Sequence, residues 1–246
     1  MISISFSWDD GAIEDLKLMD LSLKFNMPSI FFIPATNPER RVLSKDNIKT
    51  LAKNSFEIGS HTYSHSYLTN LLPDRAEEEM LKGKDFLEQL LGKDIPHFCF
   101  PGGKFNSDHV KVSKKYFSSA RTADTGALIG EDPFLIKPTF HFYDRGRISL
   151  LYNSIKNLSP ILFSLLKNFS KSDYYQLLIR LIDDLNKRSS LSRIMIWGHS
   201  WEIERYNLWS RLEFLFRHIS DNYSVNILNY SDLLTSVNVK KASHQV

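Results

Sequence analysis

A chain of 246 residues with 42% hydrophobic content can bury a full core and falls in the range where α/β barrels run as one domain. Its 31 Lys and Arg against 28 Asp and Glu leave a formal net charge of +3, too small a footprint for a nucleic-acid partner. One cysteine, Cys99, excludes an intramolecular disulfide and a multi-cysteine zinc site, and the first residues leave no room for a signal peptide, so the expectation is a cytoplasmic protein.

In chain order, β-branched and aromatic runs alternate with helical patterns. A strand over Ile2–Ser7 precedes a helix over Ile13–Phe25, whose Ile13, Leu16, Met19 and Leu23 form one apolar stripe. A strand at Ser29–Ile33, a helix at Lys45–Lys53 and a short strand at Phe56–Gly59 come next. The helix Pro73–Leu91 opens with Pro and acidic residues and stops at Gly92. Then follow a strand at His97–Phe100, a helix at Ser107–Tyr116 and a strand at Ser118–Thr122. The segment Glu131–Ser172 departs from the alternation and reads as a loop-and-helix insertion, with a helix at Ile148–Asn157. Beyond it lie a helix at Ser172–Lys187, a strand at Arg193–Trp197, a helix at Leu208–Ser220, a strand at Ser224–Leu228 and a short helix at Ser231–Ser236. The tail Lys240–Val246 is polar and reads as frayed. Alternating strands and helices imply parallel pairing through crossovers, hence a barrel or a doubly wound sheet in a single domain. The most apolar stretch, Leu158–Phe169, is broken by Pro160, Ser164, Lys167 and Asn168 and falls short of the ~20 residues that span a bilayer.

Two stretches carry chemistry. In Phe6-Ser-Trp-Asp-Asp-Gly11 two adjacent carboxylates end the first strand, where barrel sites are built. Neighbouring residues point in different directions, so one acid can bind a metal while the other serves as general base; ordinary turn chemistry is the rival reading. In Ser60-His-Thr-Tyr-Ser-His65, histidines at i and i+4 share one face of a helical turn and can bind one cation. Asp10 would complete a set of one carboxylate and two imidazoles with positions left open, against the alternative of two surface histidines near a turn. Asp183 and Asp184 sit among Lys187 and Arg188 on a helical pattern and read as a solvated face.

Together with Phe100-Pro-Gly-Gly103 and Ile196-Trp-Gly-His199, these stretches resemble, in the same order, the motifs of the polysaccharide deacetylases, the family 4 carbohydrate esterases. The resemblance implies a distorted (β/α) barrel of about seven strands. It implies a divalent cation, Zn²⁺ first with Co²⁺, Ni²⁺ or Fe²⁺ as alternatives, on Asp10, His61 and His65. It makes Asp9 the general base and His199 the general acid. An oxyanion donor falls in the turn Pro101, Gly102, Gly103, and Trp197 becomes a wall of the acetyl pocket. Trp201 and Glu202 beside His199 are placed to contact sugar or to pack at the rim, and His141 and Tyr143 to line the cleft.

The chain departs from the family pattern where an arginine should orient the base aspartate, for Cys99 stands there. Arg121, at the end of the next strand, is the expected replacement that keeps Asp9 ionised. The acidic partner of the acid histidine has no clear match, Asp124 being the nearest candidate. The implied substrate is an N-acetylated sugar, nucleotide-linked, lipid-linked or in an oligosaccharide, as an intermediate of surface-polysaccharide assembly. Leu158–Phe169 is a candidate for peripheral membrane contact. A sugar-binding barrel without chemistry and a metal-dependent hydrolase of a non-sugar amide are the alternatives.

Overall fold

Strands Ile2–Asp9 (β1), Ser29–Ile33 (β2), Glu57–Ser60 (β3), His97–Cys99 (β4), Ser119–Arg121 (β5), Phe140–His141 (β6) and Ser192–Gly198 (β7) pair in one parallel sheet, in the order β5-β4-β3-β2-β1-β7-β6. The structure is a computed structural model that describes residues 2–143, 146–156, 160–168, 173–187, 192–223 and 227–235. Parallel strands need crossovers, and helices supply them: Asp15–Phe25 (α1), Lys45–Lys53 (α2), Pro73–Leu91 (α3) and Ser107–Tyr116 (α4) connect β1 to β5. The remaining helices are Gly146–Lys156 (α5), Pro160–Asn168 (α6), Tyr174–Asn186 (α7), Ser200–Arg205 (α8), Trp209–Tyr223 (α9) and Tyr230–Thr235 (α10).

The sheet curls into an incomplete barrel. Ile136 bridges to Arg121 at the β5 edge, and five residues later His141 pairs with Trp197 of β7, so the stretch 136–141 crosses the gap between the edges. This stretch lies in the segment expected to be an insertion; residues 136–141 are barrel wall, and only α5 and α6 stand off it. Strand β6 has two residues, too few for a period-2 signal to register. Of the expected strand Ser224–Leu228, residues 224–226 lie outside the described residues, and Ile227 forms a single parallel bridge to Ile4. The tail 240–246 also lies outside them, as do the expected helix ends Asn157, Ser172 and Ser236, together with Leu158, Phe169 and Arg188.

Side-chain parity decides what faces the interior. Ile2, Ile4, Phe6 and Trp8 of β1 pack outward with α1, α7 and α9 in the larger core. Ser3, Ser5, Ser7 and Asp9 therefore point inward. A second cluster of Ile30, Phe32, Cys99, Met195, Tyr230 and Leu233 fills the interior. Small serines on β1 leave room for these larger side chains, and the same parity brings Asp9, Cys99, Arg121, His141 and Trp197 to one side of the wall.

Candidate active site

Backbone geometry at the end of β1 separates the two aspartates. Asp10 adopts φ 79° and Gly11 φ 57°, and a Cβ at Gly11 would lie 2.8 Å from Ile33 Cγ2, so only glycine fits the turn. Asp9 stays inside the barrel, where its Oδ1 accepts from Arg121 Nη2 and its Oδ2 faces the Cys99 thiol at 3.6 Å. Asp10 turns to the rim, its Oδ1 2.9 Å from His65 Nε2 and 3.5 Å from His61 Nε2. Its other oxygen accepts from the Trp201 indole N–H at 2.9 Å and lies 3.3 Å from Arg40 Nη1.

The two histidines converge, yet not on a helical turn as their spacing suggests. Residues 61–65 form an irregular loop in which Thr62 and His65 take φ of 66° and 57°. Such conformations are costly for side chains with a Cβ and persist only where surroundings hold them. Helix α3 does the holding. Glu79 accepts from Tyr63 N–H through its carbonyl (3.0 Å) and from Ser64 N–H through its carboxylate (2.8 Å), and Gly83 lets the helix backbone close on Thr62. The imidazole centroids end 5.1 Å apart. His61 Nδ1 donates to the Cys99 carbonyl at 2.8 Å, which directs the lone pair of Nε2 toward Asp10.

Across the rim, His199 Nε2 lies 4.0 Å from Asp10 Oδ2, and its Nδ1 donates to Glu202 Oε2 at 2.6 Å. The same oxygen accepts from His141 Nε2 at 2.9 Å, and His141 stacks on Trp197 with centroids 4.2 Å apart. Glu202, not Asp124, is thus the carboxylate at His199; Asp124 is bound instead to Lys156 at 2.5 Å. The clue was there, three residues after His199, but it depends on α8, a six-residue helix the pattern did not reveal. Arg40 was missed altogether, sitting in a loop with no motif around it. Its guanidinium stacks on Trp201 at 3.9 Å.

Electrostatics follow these contacts. Burial opposes charge on Asp10, but His199, His61 and His65 outweigh it and hold the carboxyl well below the usual range. Burial likewise disfavours an imidazolium at His199, and the charges of Asp10 and Glu202 reverse this, raising its pKa. Burial pushes the Cys99 thiol up, so it is a neutral donor beside Asp9.

Asp9, Asp10, His61, His65, His199, Trp197 and Trp201 line one cleft of about 460 Å³, as do Gly102 and Gly103. In the turn Pro101–Gly103 the glycines take φ of 58° and 64°, and a Cβ at Gly102 would lie 2.8 Å from the Tyr67 ring. Gly103 N–H is used within the turn, donating to Phe100 O at 2.9 Å. Pro101 is buried behind the turn. Asp183 bonds His218 and Tyr223 far from this cleft.

Asp10 Oδ and the two imidazole nitrogens lie within 4.8 Å of one another, a donor set of two nitrogens and one oxygen that fits a divalent transition-metal ion.

Residues 2–117 match the family model described as polysaccharide deacetylase. A peptidoglycan-N-acetylglucosamine deacetylase of Bacillus cereus is 29% identical over 114 residues, covering 46% of this chain and 52% of that protein. The chain spans about half the length of the curated relatives it matches. Among solved structures, a proposed polysaccharide deacetylase from Mycobacterium smegmatis superposes with a TM-score of 0.65 at 14% identity, over 98% of this chain and 91% of that one. A family 4 carbohydrate esterase from Streptomyces lividans, in complex with acetate, gives 0.56 at 11% identity, over 92% and 90%.

Proposed function

We propose that this chain, whose residues 2–117 match the polysaccharide deacetylase model, is a family 4 carbohydrate esterase that hydrolyses the N-acetyl group of an amino sugar with one divalent cation on Asp10, His61 and His65. The observation that carries the reading is the division of the adjacent aspartates. Asp10 lies 2.9 and 3.5 Å from the two imidazoles, while Asp9 beside it is paired with Arg121 and within 4.8 Å of a His61 nitrogen. When bound, such a cation supplies Lewis acidity at the acetyl carbonyl oxygen and lowers the pKa of a water on it. Zn²⁺ suits the donor set, as do Co²⁺, Ni²⁺ and Fe²⁺.

In this reading Asp9 takes the proton of the attacking water as its oxygen bonds to the acetyl carbon. The backbone N–H of Gly102 is the donor toward the resulting oxyanion, since that of Gly103 is engaged in the turn. His199 then gives its Nε2 proton to the departing nitrogen, the C–N bond breaks, and acetate and a free amine leave. An amine is a poor leaving group unless protonated. Glu202 fixes the His199 ring by bonding Nδ1, so that Nε2 is the nitrogen presented to the cleft. Trp197 and Trp201 supply flat apolar walls for the acetyl group and a sugar ring.

The whole chain acts as one catalytic domain, because β1 and β7, from opposite ends of the sequence, build the same rim. A barrel without chemistry was suggested by Cys99 in place of the motif arginine, and Arg121 beside Asp9 weighs against it. The substrate we favour is a nucleotide-linked or lipid-linked N-acetyl sugar of polysaccharide assembly, handled in the cytoplasm, a setting that suits the lone buried thiol. Acetate release from N-acetylated nucleotide sugars and glycan fragments, measured for wild type and Asp9→Asn together, tests the reading. Release by wild type with a loss of about 10²-fold or more in the variant is expected. Equal release by both would overturn it.

A further inference from the structure

Helix α5 shows two faces with different chemistry. On one, Ser149 and Asn153 line the cavities beside Trp197, and Lys156 is bound to Asp124 at the cleft. On the other, Ile148, Leu151, Tyr152 and Ile155 recur at i, i+3, i+4 and i+7, which places them on one stripe. These four are 86%, 47%, 66% and 59% exposed, and Phe163 of the adjoining α6 is also exposed. Single exposed apolar residues need no explanation, but a continuous stripe on a helix that packs mainly against α6 does. No helix among the described residues is long and apolar enough to cross a membrane, so the stripe is not part of a span.

Charge identifies the occupant. Between Asp144 and Asp173 the sequence holds Arg145, Arg147, Lys167 and Lys171 and no acidic residue, Lys156 being paired with Asp124, whereas the whole chain nets only +3. An apolar helix face flanked by basic residues is the composition that lies in the interface of an anionic bilayer. A second copy of the chain fits less well. Two-fold pairing would set these basic segments against each other, and a stripe of two turns, about 11 Å long, falls short of the roughly 800 Å² per partner of a stable interface. We propose that the α5 stripe, with Phe163 of α6, seats the protein on an anionic lipid surface beside the mouth of the cleft. The sequence pointed to Leu158–Phe169 for such a contact; there Ile161 is buried and Phe163 exposed, and α5 carries the longer exposed stripe. A surface docked there lies next to Lys156 and the rim, within reach of a sugar carried on a lipid.

The proposal stands apart from the reaction and is tested without it, by flotation with vesicles of phosphatidylcholine alone or mixed with phosphatidylglycerol. Wild type floats with the anionic vesicles at low salt and is released as salt rises. Ile148→Gln with Ile155→Gln lowers partitioning about tenfold or more, and Lys167→Gln about fivefold, with unchanged circular dichroism and thermal unfolding. The proposal is overturned if wild type ignores anionic vesicles or if the double variant floats as wild type does. It is equally overturned if wild type sediments as a dimer that the double variant dissociates, which would assign the stripe to a second copy.

Discussion

Arg121 and Asp9 meet across the barrel interior from strands that lie four places apart in the sheet. Arg121 is fully buried, with Nη1 donating to the Thr122 carbonyl at 2.9 Å and its guanidinium 5.0 Å from the Trp197 ring centroid. In register it stands beside Cys99, so the positive charge paired with Asp9 comes from β5. Truncating one partner of a buried pair leaves an uncompensated charge, so Arg121→Ala should cost about 3–5 kcal/mol of stability. Arg121→Lys keeps the charge but not the planar fork, and is expected to fold while losing about tenfold or more in kcat/KM. Chemical denaturation and acetate release on the two variants check this; near-normal kcat/KM in both removes Arg121 from the site.

Gly83 lies in the middle of α3, where an alanine Cβ would come within 2.5 Å of the Thr62 carbonyl carbon. That neighbour is backbone of the loop carrying both histidines, so it cannot yield without moving them. Gly83→Ala gains helix propensity, yet overpacking costs about 1–3 kcal/mol and dominates. Metal analysis should find about one cation per wild-type chain, removable by a chelator with loss of acetate release and restored on reloading. The Gly83 variant should bind the ion at least several-fold more weakly. Unchanged metal affinity would show that the loop keeps its shape without this contact.

How much was legible follows from where signals are local. The Ile/Ser alternation of β1 and the Pro73 to Gly92 limits of α3 are short-range patterns, and these elements stand where the sequence puts them. The clustering of Asp10, His61 and His65 was legible from residue types and strand ends alone. The shape of the histidine loop was not, because positive φ at Thr62 and His65 is imposed by α3, which follows the loop in the chain. An isolated glycine inside a helical pattern, Gly83, was the available hint of close packing. The pairing of Glu202 with His199 and His141 needed both α8 and the two-residue β6, elements too short to carry a period.

Glu202 accepts from two histidines through one oxygen, and replacing its carboxylate removes the anchor of both. Glu202→Gln keeps the volume but can turn an N–H toward His199, disfavouring the ring orientation that presents Nε2 to the cleft. The expected result is a fall of about a hundredfold in kcat with KM nearly unchanged, since the carboxylate holds the acid rather than the sugar. His141→Gln, which retains a donor toward Glu202, should lose far less than His141→Phe. Steady-state kinetics separates these cases, and a Glu202→Gln variant altered only in KM would assign the residue to sugar contact.

A separate pH effect resides at His97, away from the cleft. Its ring is buried between β4, Ser119 and Ser231, bonded at 2.9 Å to each hydroxyl and packed edge-on to Tyr230. Burial lowers its pKa to about 4, with Asp94 raising and Lys84 lowering it further from outside. Because the folded state holds the neutral ring, the unfolded chain takes up the proton first as pH falls. The contribution to stability is therefore complete above the ordinary value of about 6.5 and is lost as pH drops toward 4. The shift corresponds to about 3 kcal/mol in all, of which about 2 kcal/mol is gone at pH 5. Urea unfolding of wild type and His97→Gln at pH 7.5 and pH 5 reads the difference directly. The variant should be less stable at the higher pH yet lose about 2 kcal/mol less on acidification, whereas parallel losses in the two proteins would mean that His97 accepts its proton in the folded state.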